Sequence, residues 1–86
     1  MPEISRFLGI VIGMFYNDHN PPHFHAYYGE NEAGIAIRDG KVLWGSLPRR
    51  AMGHVQEWRE AHSAELDDDW RRARAREPLA PIEPLE

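Results

Sequence analysis

VLWGSLPRRA, residues 42–51, is the stretch in which the spacing of apolar side chains changes from two residues to about 3.6. Before it, large apolar residues alternate with small or polar ones, as on a strand with one buried face. From Leu47 onward they recur on one helical stripe. The change lies near Pro48, and proline is acceptable in the first turn of a helix because the N–H groups there are unpaired. The sequence therefore predicts an α+β fold, with strands before Pro48 and helices after it.

The first half of the chain predicts a four-stranded antiparallel β-meander over about residues 7–46. The first strand is an apolar alternation over residues 8–14, and the following loop ends it because its two prolines cannot donate to a strand ladder. Asp39-Gly40 is the best signal for a two-residue hairpin, since such a turn favours residues that accept positive φ. The other three strands are expected at about His23–Tyr28, Ala33–Arg38 and Lys41–Gly45.

The second half predicts helices over about residues 48–76. The apolar stripe runs without a break through residues 47–73, which leaves one long helix or two helices open. The charges favour two, because acidic residues crowd the start of the later segment and arginines its end, as the helix dipole prefers. Ser63 is then the expected N-cap of the second helix.

Residues 77–86 predict an extended, proline-rich C-terminal arm. Three prolines recur at a spacing of three and prevent a helix. Three large apolar residues recur at the same spacing, so they form one apolar edge when the arm is extended. Such an edge requires a surface to cover it, which is the chain's own sheet, a second copy or a partner protein. The expected partner-binding residues are these apolar ones and a tryptophan flanked by charge, namely Leu79, Ile82, Leu85 and Trp70.

Length, composition and charge limit what the chain can be. Eighty-six residues fit one domain, residues 1–86, with a thin core. The lack of cysteine excludes disulfides and thiolate zinc sites, and it fits a reducing compartment. A net charge of −4 argues against a nucleic-acid binder that works by bulk electrostatics. The longest apolar run is far shorter than the roughly 20 residues of a membrane span, so we expect a cytoplasmic protein without membrane association.

The candidate chemistry lies in DHNPPHFH, residues 18–25. His23 and His25 point to the same side of a strand, so their nitrogens can bind one ion. His19 in the preceding loop can add a third ligand, and Asp18 a fourth ligand or the acceptor that fixes an imidazole tautomer. Nitrogen and oxygen ligands of this kind suit a divalent ion of zinc, nickel, manganese or iron. The same histidines can equally hydrogen-bond around the prolines and pack within an aromatic strand, and the sequence leaves this role open.

Catalysis is the alternative role for the same four residues. Imidazole titrates near neutral pH, so Asp18, His19, His23 and His25 suit acid–base chemistry or metal-assisted hydrolysis. The serines lie in ordinary contexts, and the glycines do not form a phosphate-binding loop before a helix. The sequence therefore favours a binding or structural role over an enzyme.

Several stretches together resemble a small bacterial family, domain of unknown function 4160. They are MPEISRF at the start, GIVI at residues 9–12, NDHNPPHFHA at 17–26, LPRRA at 47–51 and IEPL at 82–85. The resemblance runs nearly from end to end, and DHNPPHFHA is its specific part. Its signature residues in this chain are Asp18, His19, Pro22, His23, Phe24 and His25.

The resemblance implies a short cytoplasmic bacterial protein of unsettled activity. Members of the family are encoded beside a small protein of domain-of-unknown-function family 2442, in an arrangement like a toxin–antitoxin operon. We therefore hypothesise a protein-binding module of a two-gene operon, with a histidine-cluster metal site. Its expected partner is the neighbouring small protein or a second copy of the chain, and not nucleic acid. The alternative is a metal-assisted hydrolase or ribonuclease-like toxin centred on residues 18–25.

Overall fold

The computed structural model describes residues 2–86, and in this range the chain forms a five-stranded sheet followed by two helices. Each strand pairs antiparallel with the next, so the sheet order follows the chain. The α+β class, the antiparallel sheet and the pair of helices are confirmed. The elements are β1 (Glu3–Phe7), β2 (Ile10–Gly13), β3 (His23–Tyr28), β4 (Asn31–Ala36), β5 (Val42–Gly45), α1 (Arg49–Ala61) and α2 (Ser63–Arg74).

The additional strand arises because the first apolar run is a hairpin, so the prediction of four strands was wrong. Leu8 and Gly9 have φ of 49° and 79°, and the chain reverses at this two-residue turn so that Phe7 pairs with Ile10. Two successive positive φ angles are what a type I′ hairpin turn requires. Leucine rarely adopts such a φ, because its Cβ then approaches a backbone oxygen. The apolar residues therefore alternate without interruption through the turn, and no residue type in the sequence marks the turn.

The connection between β4 and β5 is longer than the two-residue hairpin predicted at Asp39-Gly40. The N–H of Ala36 donates to the carbonyl of Lys41 at 2.9 Å, so residues 37–40 form the loop. Ile37 lies outside the strand ladder: its side chain is buried in the core, and its N–H donates to the carbonyl of Pro22 at 3.0 Å. Gly40 does have the positive φ expected of it, 76°.

The core lies between one face of the sheet and the helices. Trp58 of α1 is fully buried, and its ring lies 5.4 Å from that of Phe7 and 5.7 Å from that of Phe24. Because side chains alternate along a strand, the face of β3 that carries Phe24 is the core face, and the opposite face carries the histidines. Within the described residues, neither helix is long and apolar enough to cross a membrane.

The two helices meet at His62, which caps the end of α1 and the start of α2. Ser63 is the first residue of α2, so its prediction as the N-cap is off by one position. The φ of His62 is −126°, outside the helical region, and its Nδ1 lies 2.6 Å from Oε1 of Glu65. This contact joins the cap residue to the third residue of the helix.

The last ten residues, 77–86, which we call the C-terminal tail, form neither helix nor strand and pack against the chain's own core. Ile82 is 5% exposed, and its N–H donates to the carbonyl of Ile4 in β1 at 2.8 Å. The indole N–H of Trp58 donates to the carbonyl of Glu83, also at 2.8 Å. The tail therefore lies beside β1, which is an edge strand of the sheet.

Candidate metal centre

A row of residues crosses four strands on the face of the sheet opposite the core. His25 of β3 pairs with Gly13 of β2 and with Gly34 of β4, and Gly34 pairs with Trp44 of β5. Gly34 leaves room for the ring of Trp44, and two aromatic rings lie against the imidazole of His25. The ring of Phe15 meets that of His25 edge-on at 4.6 Å between centroids, and the ring of Trp44 lies at 5.1 Å. His25 is consequently only 7% exposed.

The loop between β2 and β3 places a carboxylate against both strand histidines. Oδ2 of Asp18 lies 3.0 Å from Nε2 of His23 and 3.4 Å from Nε2 of His25. Each of the three residues offers one ligand atom, and these atoms all lie within 4.8 Å of one another. His23 is 2% exposed. The structure thus brings Asp18, His23 and His25 into one compact group, which we call the Asp–His–His cluster.

Backbone and side-chain acceptors determine which nitrogen of each imidazole faces Asp18. Nδ1 of His23 lies 2.8 Å from the carbonyl of Pro21, and a carbonyl can only accept, so Nδ1 carries a proton. Nδ1 of His25 lies 3.4 Å from Oε2 of Glu32, which is also an acceptor. Both Nε2 atoms are therefore directed at one carboxylate oxygen. Nε2 of His23 then holds a second proton, as imidazolium, or a lone pair that a cation can bridge to Asp18, and Nε2 of His25 has the same alternatives when its Nδ1 donates to Glu32.

The surroundings of Asp18 hold it in the charged form. Burial acts to raise its pKa, but the backbone N–H of His19, the hydrogen bond to His25 and the charge of His23 together outweigh burial. The pKa of Asp18 therefore lies below the ordinary aspartate value. A carboxylate that stays ionised to low pH is available as a ligand or as a partner for imidazolium.

His19 lies beside the Asp–His–His cluster and outside it. Its Nδ1 is 2.9 Å from Oδ1 of Asp18, the carboxylate oxygen that faces away from His23. Its side chain is 84% exposed, whereas the strand histidines are buried. The backbone N–H of His19 also donates to Oδ1, at 2.8 Å. Of the four residues predicted as ligands, the structure therefore groups three, and the fourth contacts only the outer oxygen of Asp18.

Trp70, predicted for partner contact, is buried against the Asp–His–His cluster. Its ring lies 5.4 Å from that of His23, and the guanidinium of Arg74 lies 6.0 Å from the ring centroid. The three apolar residues predicted for the same role pack along the core, with Ile82 buried and with Leu79 and Leu85 partly buried.

A protein-family model described as Domain of unknown function (DUF4160) matches residues 9–71, well over half of the chain. The chain belongs to this family. The DUF4160 match contains the whole Asp–His–His cluster and leaves β1 and the C-terminal tail outside it. Comparison with curated proteins and with solved structures found no match.

Sequence reasoning missed three side chains that surround the cluster of this DUF4160 protein, Phe15, Glu32 and Trp44. Glu32 and Trp44 reach His25 from other strands, and their positions depend on the register of β3, β4 and β5. The signal available in the sequence was the pair of glycines at 13 and 34, because a glycine within a strand often marks a close approach of another group.

Proposed function

We propose that this protein binds a divalent transition-metal ion through Oδ2 of Asp18, Nε2 of His23 and Nε2 of His25. The observation that carries the proposal is the convergence of two buried imidazole Nε2 atoms on one carboxylate oxygen, at 3.0 and 3.4 Å. Oδ2 of Asp18 can accept a hydrogen bond from each imidazole only when both rings carry a proton on Nε2. A single metal ion binds the three atoms at once without those protons, because it accepts all three lone pairs.

The donor set defines the class of metal. Two imidazoles and a carboxylate, in a chain without cysteine, suit zinc, nickel, manganese or iron rather than a structural thiolate zinc site. Three protein ligands leave at least one coordination position for water or a substrate atom. The aromatic rings around His23 and His25 restrict access of water and strengthen electrostatic interactions within the site.

Calorimetric titration with zinc and with nickel at about pH 7.5 tests the metal site. We expect binding by the native chain, loss of binding in His23→Ala and His25→Ala, and unchanged binding in the control variant His54→Ala, which removes a histidine of α1. Affinity should fall at acidic pH, because protonated imidazole cannot bind a metal. Circular dichroism verifies that each variant is folded. Equal, weak binding by all four proteins would refute the proposal.

We further propose that the protein acts as a protein-binding module in a two-gene, toxin–antitoxin-like operon of a bacterial cytoplasm. This role rests on the family resemblance, and it names the small neighbouring protein, or a second copy, as the partner. Leu79 and Leu85 are only partly buried, so a partner that reaches the C-terminal tail contacts these two residues before the buried Ile82. Co-expression with the neighbouring gene should give one complex in size-exclusion chromatography, and elution of two separate proteins would oppose this role.

A hydrolase or ribonuclease-like toxin is the second candidate, and one observation favours it. Asp18 orients His19 through Oδ1 while its Oδ2 faces the strand histidines, which places an exposed imidazole next to the proposed metal. An accessible base beside metal-bound water is suited to hydrolysis. Expression of the chain without its neighbour should then arrest growth and degrade RNA, and His19→Ala should abolish both effects. Normal growth with intact RNA would favour the binding module.

A further inference from the structure

We infer that Glu32 is a positioning residue of the Asp–His–His cluster, whose carboxylate accepts from Nδ1 of His25 and so favours the tautomer with a free Nε2. The inference rests on the proposed metal site and adds a residue outside the DHNPPHFH segment. Glu32 belongs to β4, and its Oε2 lies 3.4 Å from Nδ1 of His25. Because an ionised carboxylate can only accept, this contact draws the proton to Nδ1, and it opposes Oδ2 of Asp18, which lies at the same 3.4 Å from Nε2.

The two histidines of the cluster are oriented by different kinds of partner. Nδ1 of His23 donates to the backbone carbonyl of Pro21, so no side-chain substitution removes that acceptor. Nδ1 of His25 faces a side chain, and this side chain is 42% exposed. A charged acceptor also raises the basicity of the imidazole as a metal ligand, which a neutral carbonyl does to a lesser extent. The tautomer of His25 therefore depends on a side chain that can be substituted, whereas the tautomer of His23 depends on a backbone carbonyl.

Tyr27 is the cross-strand neighbour of Glu32. The two residues pair across β3 and β4, and the imidazole of His25 stacks on the ring of Tyr27 with centroids 6.3 Å apart. Burial raises the pKa of Tyr27, and the charge of Glu32 and a hydrogen bond to it act in the same direction. The phenol of Tyr27 therefore stays protonated to higher pH than an ordinary tyrosine. Glu32, His25 and Asp18 form a continuous polar chain across the sheet.

Nitrogen-15 spectra of the imidazole rings in the metal-free chain test the tautomer directly. At a pH at which the rings are neutral, native His25 should divide its proton between Nδ1 and Nε2, because Glu32 and Asp18 accept at equal distances. Glu32→Ala should move this proton to Nε2, whereas Glu32→Gln should change the division less, because the amide oxygen still accepts. The control variant Glu30→Ala removes an exposed carboxylate from the same hairpin and should change nothing. His23, held by a backbone carbonyl, is the reference within each spectrum.

Zinc affinity, measured by competition with a chromophoric chelator, provides the second readout. Glu32→Ala should weaken zinc binding by about 10- to 100-fold, Glu32→Gln less, and Glu30→Ala not at all. If the native chain binds zinc and Glu32→Ala alters neither the tautomer nor the affinity, the inference is overturned. If the native chain does not bind zinc but Glu32→Ala shifts the proton of His25, the metal proposal fails and the positioning role of Glu32 stands.

Discussion

The indole ring of Trp44 lies directly over Gly34 on the neighbouring strand. A Cβ at position 34 would come within 2.5 Å of ring atoms Cε2 and Nε1 of Trp44, closer than real Cβ contacts. The same ring also packs against the imidazole of His25, with the two ring centroids 5.1 Å apart. Gly34 is thus the point at which a side chain of the edge strand β5 crosses β4 to reach the candidate metal centre.

Gly34→Ala should displace Trp44 and loosen the enclosure of His25. We expect a loss of about 1–3 kcal/mol in the free energy of unfolding, which is typical of an added methyl group in a packed site. Urea denaturation measures this loss, and the ring proton shifts of His25 report the displaced indole. The control is Gly53→Ala in α1, where a new Cβ meets nothing within 4 Å and should stabilise the helix by about 0.5–1 kcal/mol. Equal stability of the Gly34→Ala and native chains would contradict the contact.

Gly40→Ala should destabilise the protein more than Gly29→Ala. Both glycines have positive φ, 76° and 58°, so both substitutions carry a strain of about 1–2 kcal/mol. Only at position 40 does the new Cβ collide with side chains of α1, lying 2.7 Å from Nε of Arg59 and also meeting Gln56, whereas position 29 faces open space. The difference between the two midpoints of chemical denaturation isolates this packing. Identical midpoints would show that α1 does not hold the 37–40 loop.

Ile82→Ala should destabilise the fold by about 2–5 kcal/mol, as expected for truncation of a buried isoleucine. The control Leu85→Ala should have a smaller effect, because Leu85 is only partly buried. Removal of residues 78–86 should lower the Tm further, since it leaves the indole N–H of Trp58 and the buried carboxylate of Asp69 without their tail partners. A shortened chain with an unchanged Tm would show that the C-terminal tail does not contribute to the core.

Asp69→Asn should stabilise the protein at neutral pH and have little effect at low pH. Burial raises the pKa of Asp69, although the backbone N–H of Ala80 opposes the shift. A raised pKa in the folded state means that stability is highest below the unfolded pKa, about 4, and falls as the pH rises through the folded pKa. Asparagine can accept from the same N–H without a charge. Thermal unfolding at several pH values measures the difference.

Asp68→Asn is the matched control and should act with the opposite sign. Hydrogen bonds from Arg72 and Arg71 lower the pKa of Asp68. A lowered pKa contributes stability above the unfolded pKa, and this contribution is lost as the pH falls through the folded pKa. Asp68→Asn should therefore lower the Tm slightly at neutral pH and not at the lowest pH. The same sign for both variants would contradict the assignment of Asp69 as the buried carboxylate.

The sequence predicts the features that depend on local spacing. His23 and His25 share a side because residues i and i+2 of a strand always do, and Asp18 could be named because it lies in the loop beside them. The turn at Leu8 was not predictable by the same means, because leucine carries no preference for positive φ.

Features that depend on register could not be predicted. Glu32 reaches His25 only because β3 and β4 pair as they do, and Trp44 does so only because residues 37–40 form a longer loop than Asp39-Gly40 indicates. The surface that the C-terminal tail covers could not be predicted for a different reason. An extended apolar edge fits any complementary surface, so the sequence alone could not choose between β1, a second copy and a partner.

The contact between Ile4 and Ile82 links β1 to a segment that is synthesised after both helices. Translation proceeds at about 5–20 residues per second, and domains generally begin to fold as they emerge. Here the edge beside β1 stays uncovered while residues 78–86 are still inside the exit tunnel. The nascent chain can form its hairpins during synthesis, but the native core closes only after residues 78–86 have emerged. A chaperone that binds exposed strands would therefore meet this protein at β1, in the interval before the docking of the C-terminal tail.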